Sequence, residues 1–126
     1  MKAIISISIV ILAFFGFAFW TQNSLVHTAH DIANHLTILE DAVSKEDWQT
    51  ATKEMATVQY EWDNIKRRWQ ILIDHQEIDN IDSTLAKVKS WVNQESKEDC
   101  MAELATLKLF VLHIPEREAL RITNIF

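Results

Sequence analysis

WQTATKEMATVQYEWDNIKRRWQIL, residues 48–72, carries the pattern that decides the fold. Its apolar residues Trp48, Ala51, Met55, Val58, Trp62, Ile65, Trp69 and Leu72 recur at alternating spacings of three and four. That is the period of a helix turning one face to a core, and it excludes the strict alternation of a half-buried strand. The stripe predicts a helix B with its aromatic edge inward.

Working outward, the same period appears on both sides. Upstream, Leu25, Ala29, Ile32, Leu36, Leu39 and Val43 form a seam on a helix A. Downstream, continuing the helix B stripe would reach Gln76 and Asp79, yet the apolar set resumes at Ile78, Ile81, Leu85, Val88 and Val92. A slip of one residue turns the seam by about 100°. Asp74 has the form of an N-cap followed three residues later by Glu77, so a break is expected there, with a helix C beyond it. Helix D follows, with a seam through Cys100, Leu104, Leu107, Val111 and Ile114. Pro115 is expected to end helix D or to begin a short last turn through Glu118. Beyond it, Leu120, Ile122, Ile125 and Phe126 make an apolar tail.

One Gly and one Pro in 126 residues leave almost no chemistry for tight strand connections. The expected fold class is therefore all-α: an N-terminal transmembrane helix followed by an antiparallel bundle of about four helices. Ser44-Lys45-Glu46-Asp47 and Ser96-Lys97-Glu98-Asp99 are the same tetrapeptide, and each is expected to open a helix, with Ser44 as the N-cap of helix B. Such a repeat is the mark that a duplicated hairpin would leave, although the match outside the tetrapeptide is thin.

Residues 1–23 are a membrane anchor or a signal peptide, and 24–126 a single extracytoplasmic domain. Ala3 to Trp20 contains no charge and only Gly16 as an interruption, a length at the lower limit for spanning a hydrocarbon core of roughly 30 Å. A signal peptide would want small residues at a cleavage site, and Phe17 to Ser24 offers no good small-x-small pair. An uncleaved anchor follows, with secretion as the alternative. Helix A can simply continue the membrane helix outward. Lys2 on one flank, and no Lys or Arg from Thr21 until Lys45 on the other, put the N-terminus in the cytoplasm and the remainder outside.

Charge and cysteine content narrow the function classes. A formal net charge of −6 argues against a nucleic-acid partner, whose phosphates it would repel. Cys100 is the only cysteine, so an oxidising compartment would supply no internal disulfide. It is expected to be a buried thiol, an intermolecular disulfide being the alternative. Haem-attachment, zinc, phosphate-loop and nucleophile-elbow signatures are all missing, so an enzyme is not expected and no cofactor is implied.

Three groups of residues could still act. His75, Glu77, Asp79 and Asp82 lie around the B–C break and His113 near the end of helix D, a polar set that could hold a divalent cation; whether it binds metal stays open, since capping and carbonyl contacts explain the same residues. Paired carboxylate bundles use Glu-x-x-His, which this chain lacks. Lys66, Arg67, Arg68 and Trp69 form the only basic run, and an antiparallel A–B hairpin would return it to the level of Ser24, where it could meet lipid head groups. Trp91, off the helix C seam, and the tail residues Ile125 and Phe126 are candidate surfaces for a protein partner or self-association. His27, His30, Asp31 and His35 on helix A have spacings that could suit a surface metal site, or simply a solvated face.

Trp62, Ile65, Trp69, the run from His75 to Asp82, Leu85, Glu103-Leu104, Leu107-Lys108, His113-Ile114 and Asn124-Ile125-Phe126 resemble the pattern of domain-of-unknown-function family 4363. The resemblance implies a short Gram-positive bacterial protein with one N-terminal membrane segment. It implies no activity, and points to His75–Asp82 and His113 as the places to look first. The repeated tetrapeptide and the histidines of helix A are not part of that pattern. The functional expectation is a membrane-anchored envelope protein that binds another protein or itself; the alternative is a ligand- or metal-sensing bundle. With only Met1 and Lys2 before the apolar run, a sensor would have to signal through a partner.

Overall fold

The computed structural model describes residues 1–125, with side chains through Arg117. Its helices are α1 (Lys2–Ser44), α2 (Trp48–Leu72), α3 (His75–Asn93) and α4 (Lys97–Ile125), and no strand occurs among the described residues. Helix α1 packs on α2 and α4, and α3 closes the ring against the same two helices. Short turns make each neighbour antiparallel, so the architecture is an up-down bundle.

Every residue of the A, C and D seams is buried, from Leu25 on α1 to Ile114 on α4. The helix B stripe is buried from Ala51 to Trp69, while its ends emerge: Trp48 is half-buried and Leu72 is 37% exposed. The apolar start of α1 is different, because none of its side chains is buried in the bundle. That segment is long and apolar enough to cross a membrane, and the helix continues from it into the core without a break. At 1.5 Å per residue α1 is about 65 Å long. The end of the bundle where the apolar run enters is called the near end below.

The two far-end turns are built alike, and not as the tetrapeptides imply. Ser44 is the last residue of α1 rather than a cap, and its hydroxyl donates back to the Asp41 carbonyl at 2.8 Å. The N-cap of α2 is Asp47, whose carboxylate accepts the Thr50 amide at 3.2 Å. In the second copy it is Ser96 that precedes the helix, and its hydroxyl donates to Asp99 at 2.6 Å. One word is thus used in two registers. The true correspondence is between Glu46 and Glu95, both left-handed at φ 54. The Glu46 amide donates to the Val43 carbonyl and that of Asp47 to Ala42; Glu95 and Ser96 donate in the same way to Val92 and Trp91. These are Schellman turns, a motif whose left-handed position is ordinarily Gly.

At the near end, Ile73 is extended (φ −125, ψ 152) and Asp74 caps α3 through the Gln76 amide, so the expected break is present. Pro115 departs from expectation, since α4 runs through it to Ile125. A proline inside a helix leaves the carbonyl one turn earlier without its usual donor. Its own carbonyl accepts Gln22 Nε2 from α1 at 2.8 Å, and the buried ring stays within the packed bundle.

A non-glycine residue in the left-handed region costs about 1 kcal/mol, partly offset in a glycine variant by the entropy of the freer unfolded chain. Glu46→Gly is therefore expected to raise stability by about 0.5 kcal/mol in denaturant unfolding, and a loss would contradict the strained turn. The Thr50 hydrogen bonds hold the Asp47 carboxyl below its usual range, so the stability from this cap is present above the unfolded carboxylate value and is lost as pH falls through the lower folded one. Cys100 is fully buried, and burial pushes its thiol up to about 11. The native chain should resist thiol alkylation at pH 8 and react only on unfolding; rapid native labelling would place Cys100 at the surface.

Candidate functional site

The near end gathers most of the residues singled out in the sequence, because the α2–α3 turn, the Pro115 turn of α4 and the exit of α1 from its apolar run all meet there. The polar ones are divided among separate contacts. Asp82 reaches α2: one carboxylate oxygen accepts the Trp62 indole N–H at 2.7 Å and the other pairs with Lys66. Glu77 turns instead to α4 and pairs with Arg117. Five residues along a helix amount to about 140° around it, so no single neighbour can receive both carboxylates. His75 and Asp79 point to solvent, and His113 is exposed with its Nδ1 3.7 Å from Glu116. Among the described residues no group of three His, Cys, Asp or Glu converges as a metal site. Glu77, His113 and Arg117 do share an open groove between α3 and α4, lined also by Phe110.

The basic run is split in the same way. Trp69 is 2% exposed and packs edge-to-face on Trp62, with ring centroids 5.6 Å apart. It belongs to the core, with only an edge of the ring reaching the surface. Lys66 is held by Asp82, whereas Arg67 and Arg68 are exposed and have no ion-pair partner among the described residues. The hairpin geometry is as expected, since Arg68 and Trp69 line a groove together with Trp20 and Ser24.

On α1, His27 and His30 are exposed and apart from His35, which is half-buried with its Nδ1 3.5 Å from Glu54 of α2. Trp91 is half-buried and packs against the core, which leaves only part of its ring for a partner. The side chain of Ile125 and the whole of Phe126 lie outside the described residues.

Sequence reasoning missed three apolar side chains at this end. Ile71 is 85% exposed, and Leu109 and Leu112 of α4 are 57% and 37% exposed. Leu109 and Leu112 are one turn apart on a face that also carries the exposed Ala105, so they form a short ridge beside the half-buried Phe110. The signal was available: residues 107–114 read LKLFVLHI, too many apolar positions for the one-sided stripe that a surface helix needs.

The profile of a family described as "Domain of unknown function (DUF4363)" matches residues 19–125. No curated protein and no solved structure matches the chain.

Asp82 is the polar residue whose removal should be felt most. Trp62 is 1% exposed, so Asp82→Ala leaves a buried indole N–H without an acceptor and is expected to cost about 1–3 kcal/mol. Asp82→Asn keeps an acceptor and should cost less. Equal losses in the two variants by chemical unfolding would show that the Trp62 contact contributes nothing.

Proposed function

The chain belongs to the DUF4363 family, and from that premise we propose that it is a membrane-tethered interaction module, acting by binding a protein partner rather than by catalysis. The apolar start of α1 crosses the bilayer once and is retained. The N-terminus lies in the cytoplasm and the bundle outside, the orientation favoured by Lys2 and by the absence of basic residues just beyond the run.

The observation that carries this reading is the α4 ridge. The bundle closes its core around Trp62, Leu36 and Leu104, and still leaves Leu109 at 57% exposure with Leu112 one turn away. Two leucines on one helix face, beside a half-buried Phe, suit the apolar stripe of a second helix. The acidic charge of the chain argues against nucleic acid as that partner.

A photo-crosslinking residue at Leu109 of the full chain, in native membranes, is expected to give one discrete adduct. Its mass distinguishes a second copy from another protein. Leu112→Ser should weaken the adduct several-fold, and the same probe at the exposed Asn64 of α2 should give none. No adduct at position 109, or equal adducts at both positions, would contradict a partner surface on α4.

A further inference from the structure

Beside the end of α2, the side chains Phe17, Trp20 and Thr21 of α1 and Arg68, Ile71 and Leu72 of α2 line a groove of about 250 Å³, floored by Trp69. That volume falls below the roughly 300 Å³ at which pockets begin to hold drug-sized ligands, yet the groove is open along one side and has room for part of a hydrocarbon chain. Its polar groups are mostly occupied. The Thr21 hydroxyl donates to the Ala18 carbonyl at 2.9 Å, and that of Thr28 to Ser24 at 2.6 Å. What remains is an apolar trough with Arg68 at its rim, a cation without an ion-pair partner among the described residues.

Two features say what covers it. Phe17 and Trp20 belong both to the groove and to the exposed apolar run, at 62% and 64% exposure, so the groove is continuous with the surface that a bilayer would surround. Ile71, at the tip of α2 on the same side, is 85% exposed, a costly arrangement in water and an ordinary one in hydrocarbon. Arg68 lines the groove together with Trp20, a residue type that favours the level at which acyl chains give way to head groups.

We propose that this groove holds an anionic phospholipid of the membrane that α1 crosses. The phosphate lies against Arg68, with Arg67 adding to the local positive charge, and the upper part of one acyl chain lies along Phe17, Trp20 and Leu72. Ile71 dips into the same leaflet. Lys66 takes no part, because Asp82 holds it. The groove thereby fixes the height and rotation of the bundle on the bilayer, which α1 alone leaves open to tilt. This site rests on the membrane-tethered reading above and adds to it a ligand of defined charge.

The test uses the full chain in nanodiscs containing equal amounts of phosphatidylglycerol and phosphatidylcholine, followed by native mass spectrometry of the released protein. The wild-type chain is expected to retain phosphatidylglycerol over phosphatidylcholine by about fivefold, the effect of one well-placed cation at an anionic surface. Arg68→Gln should abolish that preference. Ser24→Trp, which fills the groove without changing its charge, should abolish retention of both lipids, with helix content by circular dichroism confirming that the variant is folded. Equal retention of the two lipids by the wild type, or an unchanged preference in Arg68→Gln, overturns the site. Alkaline extraction of cell membranes separates the two readings: a chain that stays with the membrane but shows no lipid preference removes only the groove, whereas a chain released into the supernatant removes both.

Discussion

The unbroken hydrogen-bond ladder of α1 is the constraint on which the rest of the structure depends. From Lys2 to Ser44 the helix has no interruption, so the apolar run and the core seam keep one fixed rotation with respect to each other, about 100° per residue. Leu25 is buried against the bundle only five residues after Trp20, which remains exposed. A flexible linker at this point would let the bundle wander over a membrane. A continuous helix holds the bundle in one fixed relation to the apolar run, and through the Gln22 contact to Pro115 it also positions the Pro115 turn of α4.

Once α1 is placed, the order of the other helices is set by charge as well as by apolar packing. Three of the four interfaces carry an ion pair: Lys66 with Asp82 between α2 and α3, Lys87 with Glu103 between α3 and α4, and Glu40 with Lys108 between α1 and α4; between α1 and α2, His35 Nδ1 lies 3.5 Å from a Glu54 carboxylate oxygen. Partly exposed pairs of this kind contribute at most about 1 kcal/mol each. Their greater effect is selection, because a bundle assembled with two helices exchanged would face like charges or unpaired ones. The apolar seams of α1, α3 and α4, rich in Leu, Ile and Val, discriminate less between neighbours, whereas that of α2 carries the distinctive Trp62 and Trp69.

How much was legible in the sequence follows from these two kinds of contact. The seam positions of α1, α3 and α4, and those of α2 from Ala51 to Trp69, could be read directly, since burial repeats with the helix period, and so could the break at Asp74, where the period slips. Registers were harder. The identical tetrapeptides predicted identical caps, but cap choice depends on where the preceding helix must end to bury Val43 and Val92, and that placed Glu46 and Glu95, not Ser44 and Ser96, in equivalent positions. Pro115 looked like a stop because the cost of a proline is local; the buried ring and the Gln22 contact that accompany it inside the helix are not. The polar cluster was the least legible part. Sequence spacing brought His75, Glu77, Asp79 and Asp82 near one another along the chain, whereas rotation about α3 sent Glu77 to α4 and Asp82 to α2. The exposed leucines of α4 were visible only as an excess of apolar residues.

The central claim, that the apolar run and the bundle share one rigid helix, is tested most directly by amide hydrogen exchange on the full chain in nanodiscs. Protection should run without a gap from the apolar run through Trp20, Ser24 and Leu25 into the core of α1, with opening energies at the junction close to those of the bundle itself. Fast exchange confined to residues between Trp20 and Leu25 would contradict the account, because it would reveal a hinge where the structure has a continuous helix.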